Sequence, residues 1–184
     1  MKGNPAKLVV AALAGFYFLW CAYDPFQWHF IDNVNLVIHE AGHIIFIIGG
    51  EFLTIAGGSL FQVIVPAVFV GYFYRAGQKY SAALVMFWVG ASLLNVSVYA
   101  GDSVALQLPL LGGEDSIHDW NYMLSRLGWL NLTARIANAI RFMGTLAIIA
   151  GCFFSIREAR RVMTDEAEPP EHNAFLPRSF KRAP

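Results

Sequence analysis

The sequence predicts an all-α membrane protein, a bundle of about five or six transmembrane helices with a short β-hairpin or re-entrant segment near 52–60. Three observations predict it. Only 14% of the 184 residues are charged, where soluble domains carry about 25%. Hydrophobic residues make up 57% of the chain and the mean hydropathy is +0.49, too apolar for a water-covered fold. The apolar residues are also gathered into runs that approach the roughly 20 needed to cross a bilayer. Formal net charge is zero, so the chain lacks the lysine and arginine surplus that binding to nucleic-acid phosphates requires.

The first run, 7–23, follows two lysines and resembles a signal peptide, but it ends in bulky Trp20 and Tyr23 with no small-x-small cleavage site. It is therefore expected to be a retained first span. Further spans are expected over 31–50, 60–74, 81–100 and about 136–156. The third is short unless 52–59 contributes, and the Gly57-Gly58 pair there reads as a turn signal. Cys21 and Cys152 lie inside apolar runs without metal-site spacing and are expected to be small core residues. The stretch 101–130 is polar, with a short helix expected over 119–130 and capped near Ser116. These spans make 1–156 one transmembrane domain. The charged, proline-containing segment 157–184 is expected to be a disordered tail.

Lysine and arginine collect on the cytoplasmic side of membrane proteins. Arg157, Arg160 and Arg161 place the C-terminus there, and counting back over single spans puts Arg75 and Lys79 inside as well. The same count puts Lys2 and Lys7 outside, against the rule. A re-entrant segment counted as a span would reconcile them.

Within the second run stands His39-Glu40-Ala41-Gly42-His43. On a helix the two histidines lie about 40° and one turn apart, roughly 6 Å along the axis, so both imidazoles can reach one zinc ion. Glu40 follows the first histidine closely enough to take a proton from metal-bound water without binding the ion. An ionised acid at mid-span costs about 2.5–3.5 kcal/mol, so these groups mark a functional site by default. Asn35 lies one turn earlier on the same face. A polar helix contact is its simplest role, although a water-filled cavity lined by Asn35, Asn95 and the 112–121 loop would also use it.

A catalytic zinc takes three protein ligands and an open position. The third is not in the same helix, because Phe46 and Gly49 stand where an extended motif would carry glycine and histidine, and Glu51 is two turns too far. The candidates are Asp102, Glu114, Asp115, His118 and Asp119. Asp119 ranks first and His118 second, while Asp102 and Glu114 fit solvated loop charges better. A carboxylate that instead orients a ligating histidine is an alternative division of roles.

The HEAGH sequence in an apolar helix, the glycine-rich turn after it and the later acidic cluster resemble the site-2 protease family of intramembrane zinc metallopeptidases, in particular its small bacterial membrane branch. The resemblance is specific over 35–66 and weaker over 95–130. It implies a multi-pass protein of the bacterial plasma membrane in which His39 and His43 bind zinc and Glu40 activates the water. It further implies that the partners are membrane lipids and a transmembrane protein or peptide substrate. The family's third ligand is an aspartate in an Asn-Pro-Asp-Gly or Leu-Asp-Gly setting. This chain has neither and offers Ile117-His118-Asp119-Trp120-Asn121. A PDZ-like insert is absent from the sequence. An unwound substrate could pair as an added strand with 54–59. The alternative function is a zinc-binding membrane protein without proteolytic activity, holding the ion for structure or for a partner.

Overall fold

A computed structural model of the chain describes residues 4–111, 113 and 117–165, with side chains as far as 161. The secondary structure of these residues is helical throughout. The six α-helices are α1 Pro5–Tyr23, α2 Phe30–Ile45, α3 Glu51–Arg75, α4 Lys79–Gly101, α5 Asp119–Leu127 and α6 Thr133–Asp165, with single 3-10 turns at Ile47–Gly49 and Leu130–Leu132. Four segments are long and apolar enough to cross a membrane: α1, α3, α4 and the stretch Leu130–Arg161. The chain is an all-α integral membrane protein.

Local chemistry sets the ends of these helices. Pro5 opens α1, where its missing N–H costs nothing, and the Asn4 side chain caps the turn by accepting from Lys7 N at 3.2 Å. At the start of α2, Asp32 Oδ2 reaches back to accept from His29 N at 2.8 Å. Past its end, Gly50 takes a φ of 82°, a left-handed conformation that glycine enters without steric cost, and the chain turns into α3.

Four contacts fix the direction of the long helices. Asn4 N donates to the Ala159 carbonyl at 3.0 Å, and Tyr80 Oη donates to the Lys7 carbonyl at 2.7 Å. The start of α1, the start of α4 and the far part of α6 therefore share one end of the bundle. α3 runs antiparallel to α4, with Gln62 bonded to Asn95 and Phe69 stacked on Trp88. Thus α1 and α4 run one way, α3 and α6 the other. The segment 24–50, which contains α2, begins and ends at the opposite end of the bundle.

That arrangement corrects the expected second span. α2 has 16 residues, about 24 Å at 1.5 Å each, against a hydrocarbon core of about 30 Å. It enters between α3 and α4 and leaves on the side it came from. Among the described residues, four of the six helices are long and apolar enough to span, and the charge conflict disappears. Lys7, Arg75, Lys79, Arg157, Arg160 and Arg161 all belong to the end that holds the start of α1.

The expected hairpin near 52–60 is corrected as well, because α3 is continuous from Glu51 to Arg75. Gly57 and Gly58 make no turn. They let α3 press against α2, and a Cβ on Gly42 would run into the Gly57 carbonyl. α6 continues to Asp165, so the first part of the expected tail, 157–165, is helical, and 166–184 lie outside the described residues.

The apolar core is a seam between α4 and α6. Phe87 and Ile148 are fully buried there, and the Phe18 ring of α1 stacks on Phe87 with centroids 5.3 Å apart. Gly90, Gly144 and Gly151 bring the two backbones together. Cys21 is buried in this region, and Cys152 packs against the apolar cluster, as expected of small core residues.

Candidate metal centre

The residues Asp32, Asn35, His39 and Gly42 recur at spacings of three and four, which on a helix makes one face, and all four are buried. His43 extends that face by one more turn. The His39 and His43 rings lie edge to face with centroids 4.9 Å apart. Asp119 reaches them from the first turn of α5. Its Oδ2 lies 2.9 Å from His39 Nε2 and 3.3 Å from His43 Nε2. Ligand atoms of the three residues all lie within 4.8 Å of one another, the one such group among the described residues.

The surrounding contacts fix which ring nitrogens face the carboxylate and which face outer acceptors. His39 Nδ1 donates to Gln62 Oε1 at 3.1 Å, and His43 Nδ1 donates to the Thr54 carbonyl at 2.8 Å. A neutral imidazole protonated at Nδ1 presents an Nε2 lone pair. Two such lone pairs aimed at one carboxylate oxygen repel it unless protons or a cation intervene. This orientation, with the outer nitrogen tied to an acceptor, is the one that metal-ligating histidines adopt.

Gly58 supplies a second test of fit. A Cβ built there would come within 2.5 Å of His39 Nε2 and 2.7 Å of His43 Nε2. Space is thus kept open beside the two nitrogens that a larger residue would fill. Two imidazole nitrogens, one carboxylate oxygen and an open side suit zinc, and the same donor set also suits ferrous iron. The residues present fit a metal ion.

Asp119 is held in place by its neighbours. Its backbone N donates to Tyr99 Oη at 3.1 Å, Trp120 Nε1 donates to Ser59 Oγ at 3.0 Å, and Asn121 Nδ2 donates to the Ser103 carbonyl at 2.8 Å. α5 is therefore pinned across the ends of α3 and α4. His118, the alternative third ligand, faces elsewhere. Its Nδ1 caps α5 by accepting from Asn121 N at 3.3 Å, and its Nε2 points to Asp102 at 3.4 Å. Burial pushes the His118 imidazole pKa down, with the Asp102 carboxylate opposing. The cap near Ser116 is His118; Ser116 itself lies outside the described residues, as do Glu114 and Asp115. Asp102 has a structural duty: its two oxygens accept from Gln107 N and Leu108 N, each at 2.9 Å, and shape the loop beyond α4.

A cavity of about 550 Å³ opens over the cluster. Glu40 lines it together with His39, His43 and Asp119, and Leu108, Leu110 and Trp28 supply apolar wall. Asn95 and Ile117 line it as the sequence leads one to expect of Asn95 and the 112–121 loop. Asn35 does not. Its side chain is wholly buried between α2 and α4, where Oδ1 accepts from Trp88 Nε1 at 3.0 Å and from Ser92 Oγ at 3.1 Å. Sequence reasoning missed Gly58, Gln62, Tyr99 and Asp32. A polar residue inside an apolar run was the available signal for Gln62 and Asp32, since such groups need partners at membrane depth. The family-model scan, the search of curated proteins and the search of solved structures find no match to this chain.

Proposed function

We propose that this protein is an intramembrane zinc metallopeptidase that hydrolyses peptide bonds of membrane-embedded proteins or peptides. His39, His43 and Asp119 hold the ion on this reading, and Glu40 is the general base. The observation that carries it is the convergence of two Nε2 atoms and one carboxylate oxygen, from positions 80 residues apart, at the edge of a cavity that Glu40 also lines. When bound, zinc supplies Lewis acidity that polarises a carbonyl and acidifies water. An acidic residue directly after the first histidine, with no hydrogen-bond partner among the described residues, favours hydrolytic zinc over iron.

The chain's own groups then divide the work. The apolar wall at Leu108, Leu110 and Trp28 receives a hydrophobic segment. Glu40 removes the proton from the attacking water and returns it to the leaving amine. Tyr99 Oη accepts from Asp119 N, which leaves its own proton free to donate toward the reacting carbonyl. Strand addition at 54–59 is withdrawn, since that segment is helical. The non-helical residues Leu108–Leu111 along the cavity take over the role of pairing with an unwound substrate.

The charge distribution supports one orientation. The end carrying Lys7, Arg75, Lys79 and the arginines of α6 faces the cytoplasm of a bacterial plasma membrane, and the metal centre opens toward the opposite face. A cysteine at the exposed Val104 should then react with an impermeant thiol reagent applied to intact cells; protection there, with labelling only after lysis, reverses the orientation.

The activity is tested with purified protein in vesicles and a panel of transmembrane peptides. Wild-type protein should cleave at least one, chelation should stop cleavage, and Glu40→Gln should bind one equivalent of zinc without turnover. Cleavage by Glu40→Gln at the wild-type rate defeats the assignment.

A further inference from the structure

His43 and His39 are steadied in different ways. The outer nitrogen of His43 is tied to a backbone carbonyl, which no substitution removes. The outer nitrogen of His39 begins a chain of buried side chains that continues through three helices. His39 Nδ1 meets Gln62 Oε1 at 3.1 Å, Gln62 Nε2 meets Asn95 Oδ1 at 2.8 Å, and Asn95 Nδ2 meets Asp32 Oδ1 at 3.0 Å. The other oxygen of Asp32 accepts from His29 N at 2.8 Å.

We infer that Asp32, Asn95 and Gln62 form a one-way amide relay that fixes the tautomer of His39, and through it the affinity of the metal centre. The direction follows from one end. Both Asp32 oxygens accept, one from His29 N and one from Asn95, so Asn95 turns its NH₂ to Asp32 and its oxygen to Gln62. Gln62 must then present NH₂ to Asn95 and its oxygen to His39. His39 must carry its proton on Nδ1, which leaves Nε2 bare toward Asp119. The Ser92 carbonyl, 3.5 Å from Gln62 Nε2, holds the Gln62 amide the same way round. A carboxylate hydrogen-bonded directly to a ligating histidine does this job in many metal sites. Here two amides extend that link through α3 and α4, and the carboxylate at its end lies two turns before His39 on the same helix.

Gln62, Asn95 and Asp32 are positioning residues, and the inference rests on the proposed function only as far as the presence of a metal. A purely structural role predicts that their loss weakens helix packing and nothing else. Two readouts separate the roles: zinc affinity by competition with a chelating dye, and the proton on His39 Nδ1 by ¹⁵N chemical shifts in the metal-free protein. Gln62→Leu should weaken zinc binding by about 10- to 100-fold, the effect of losing an outer partner of a ligand. Gln62→Glu, which gives Nδ1 a direct carboxylate, should restore it. Asp32→Asn removes the group that sets the direction and should turn a fully protonated Nδ1 into a partly protonated one. Tyr80→Phe serves as the control, because it cuts a bond between α4 and α1 at the far end of the bundle and should leave affinity and tautomer alone.

Affinity within twofold of wild type in Gln62→Leu overturns the relay. Should Gln62→Leu fail to fold, Asp32→Asn decides, and a fully protonated Nδ1 there overturns it equally. If wild-type protein binds no metal, the metal reading fails by itself, and the tautomer comparison in the metal-free protein still decides the relay.

Discussion

Two helix crossings in this molecule are built from glycine, and they serve different ends. Between α4 and α6, a Cβ on Gly90 would meet the Ile148 side chain and, at 2.8 Å, the Gly144 carbonyl. The nearest atoms there are backbone or hydrocarbon, and the gain is close packing. Between α2 and α3, Gly42 and Gly57 make the same kind of contact, but a Cβ on the next residue, Gly58, would meet two imidazole nitrogens. The same small residue closes a gap in one crossing and keeps one open in the other. A stripe of glycines therefore says nothing about function until the atoms facing it are known.

The sharpest way to break this comparison is to add one methyl group to each crossing. Gly58→Ala should abolish zinc binding while the fold persists, since alanine favours a helix by about 1 kcal/mol over glycine. Gly90→Ala should retain one equivalent of zinc and lower stability by about 1–3 kcal/mol through overpacking. Zinc content and thermal unfolding in detergent read both effects. Equal zinc content in the two variants would erase the distinction.

A smaller effect separates the polar contacts of α2. Asn35→Ala removes two hydrogen bonds that tie α2 to α4 and should cost about 1–2 kcal/mol with zinc retained. Loss of zinc in that variant would mean that the seating of α2, with Asp32 beside Asn35, governs the site.

Much of this was legible in the residues. Apolar runs gave the long helices because their lengths match a bilayer, and the spacing of His39 and His43 puts both on one helical face whatever lies around them. Other features depend on tertiary packing and were not. The run 31–50 has the length and composition of a span, yet the helix stops at Ile45 and the chain returns through Gly50 at positive φ. A Gly-Gly pair signals a turn and a close helix contact equally well, and only the proximity of Gly42 decides for the second at 57–58. Asp119 and His118 are neighbours about 100° apart on a helix, so the one that faces the histidines depends on where α5 begins. The path from Asp32 to His39 joins residues of three helices that share no local pattern.

The central claim is that His39, His43 and Asp119 hold one metal ion. Elemental analysis of detergent-purified protein tests it most directly. Wild-type protein should carry one equivalent of zinc, and His39→Ala and Asp119→Ala should each carry none while retaining their helical content. Wild-type protein free of zinc after purification with zinc supplied, or variants that keep the wild-type content, would contradict it.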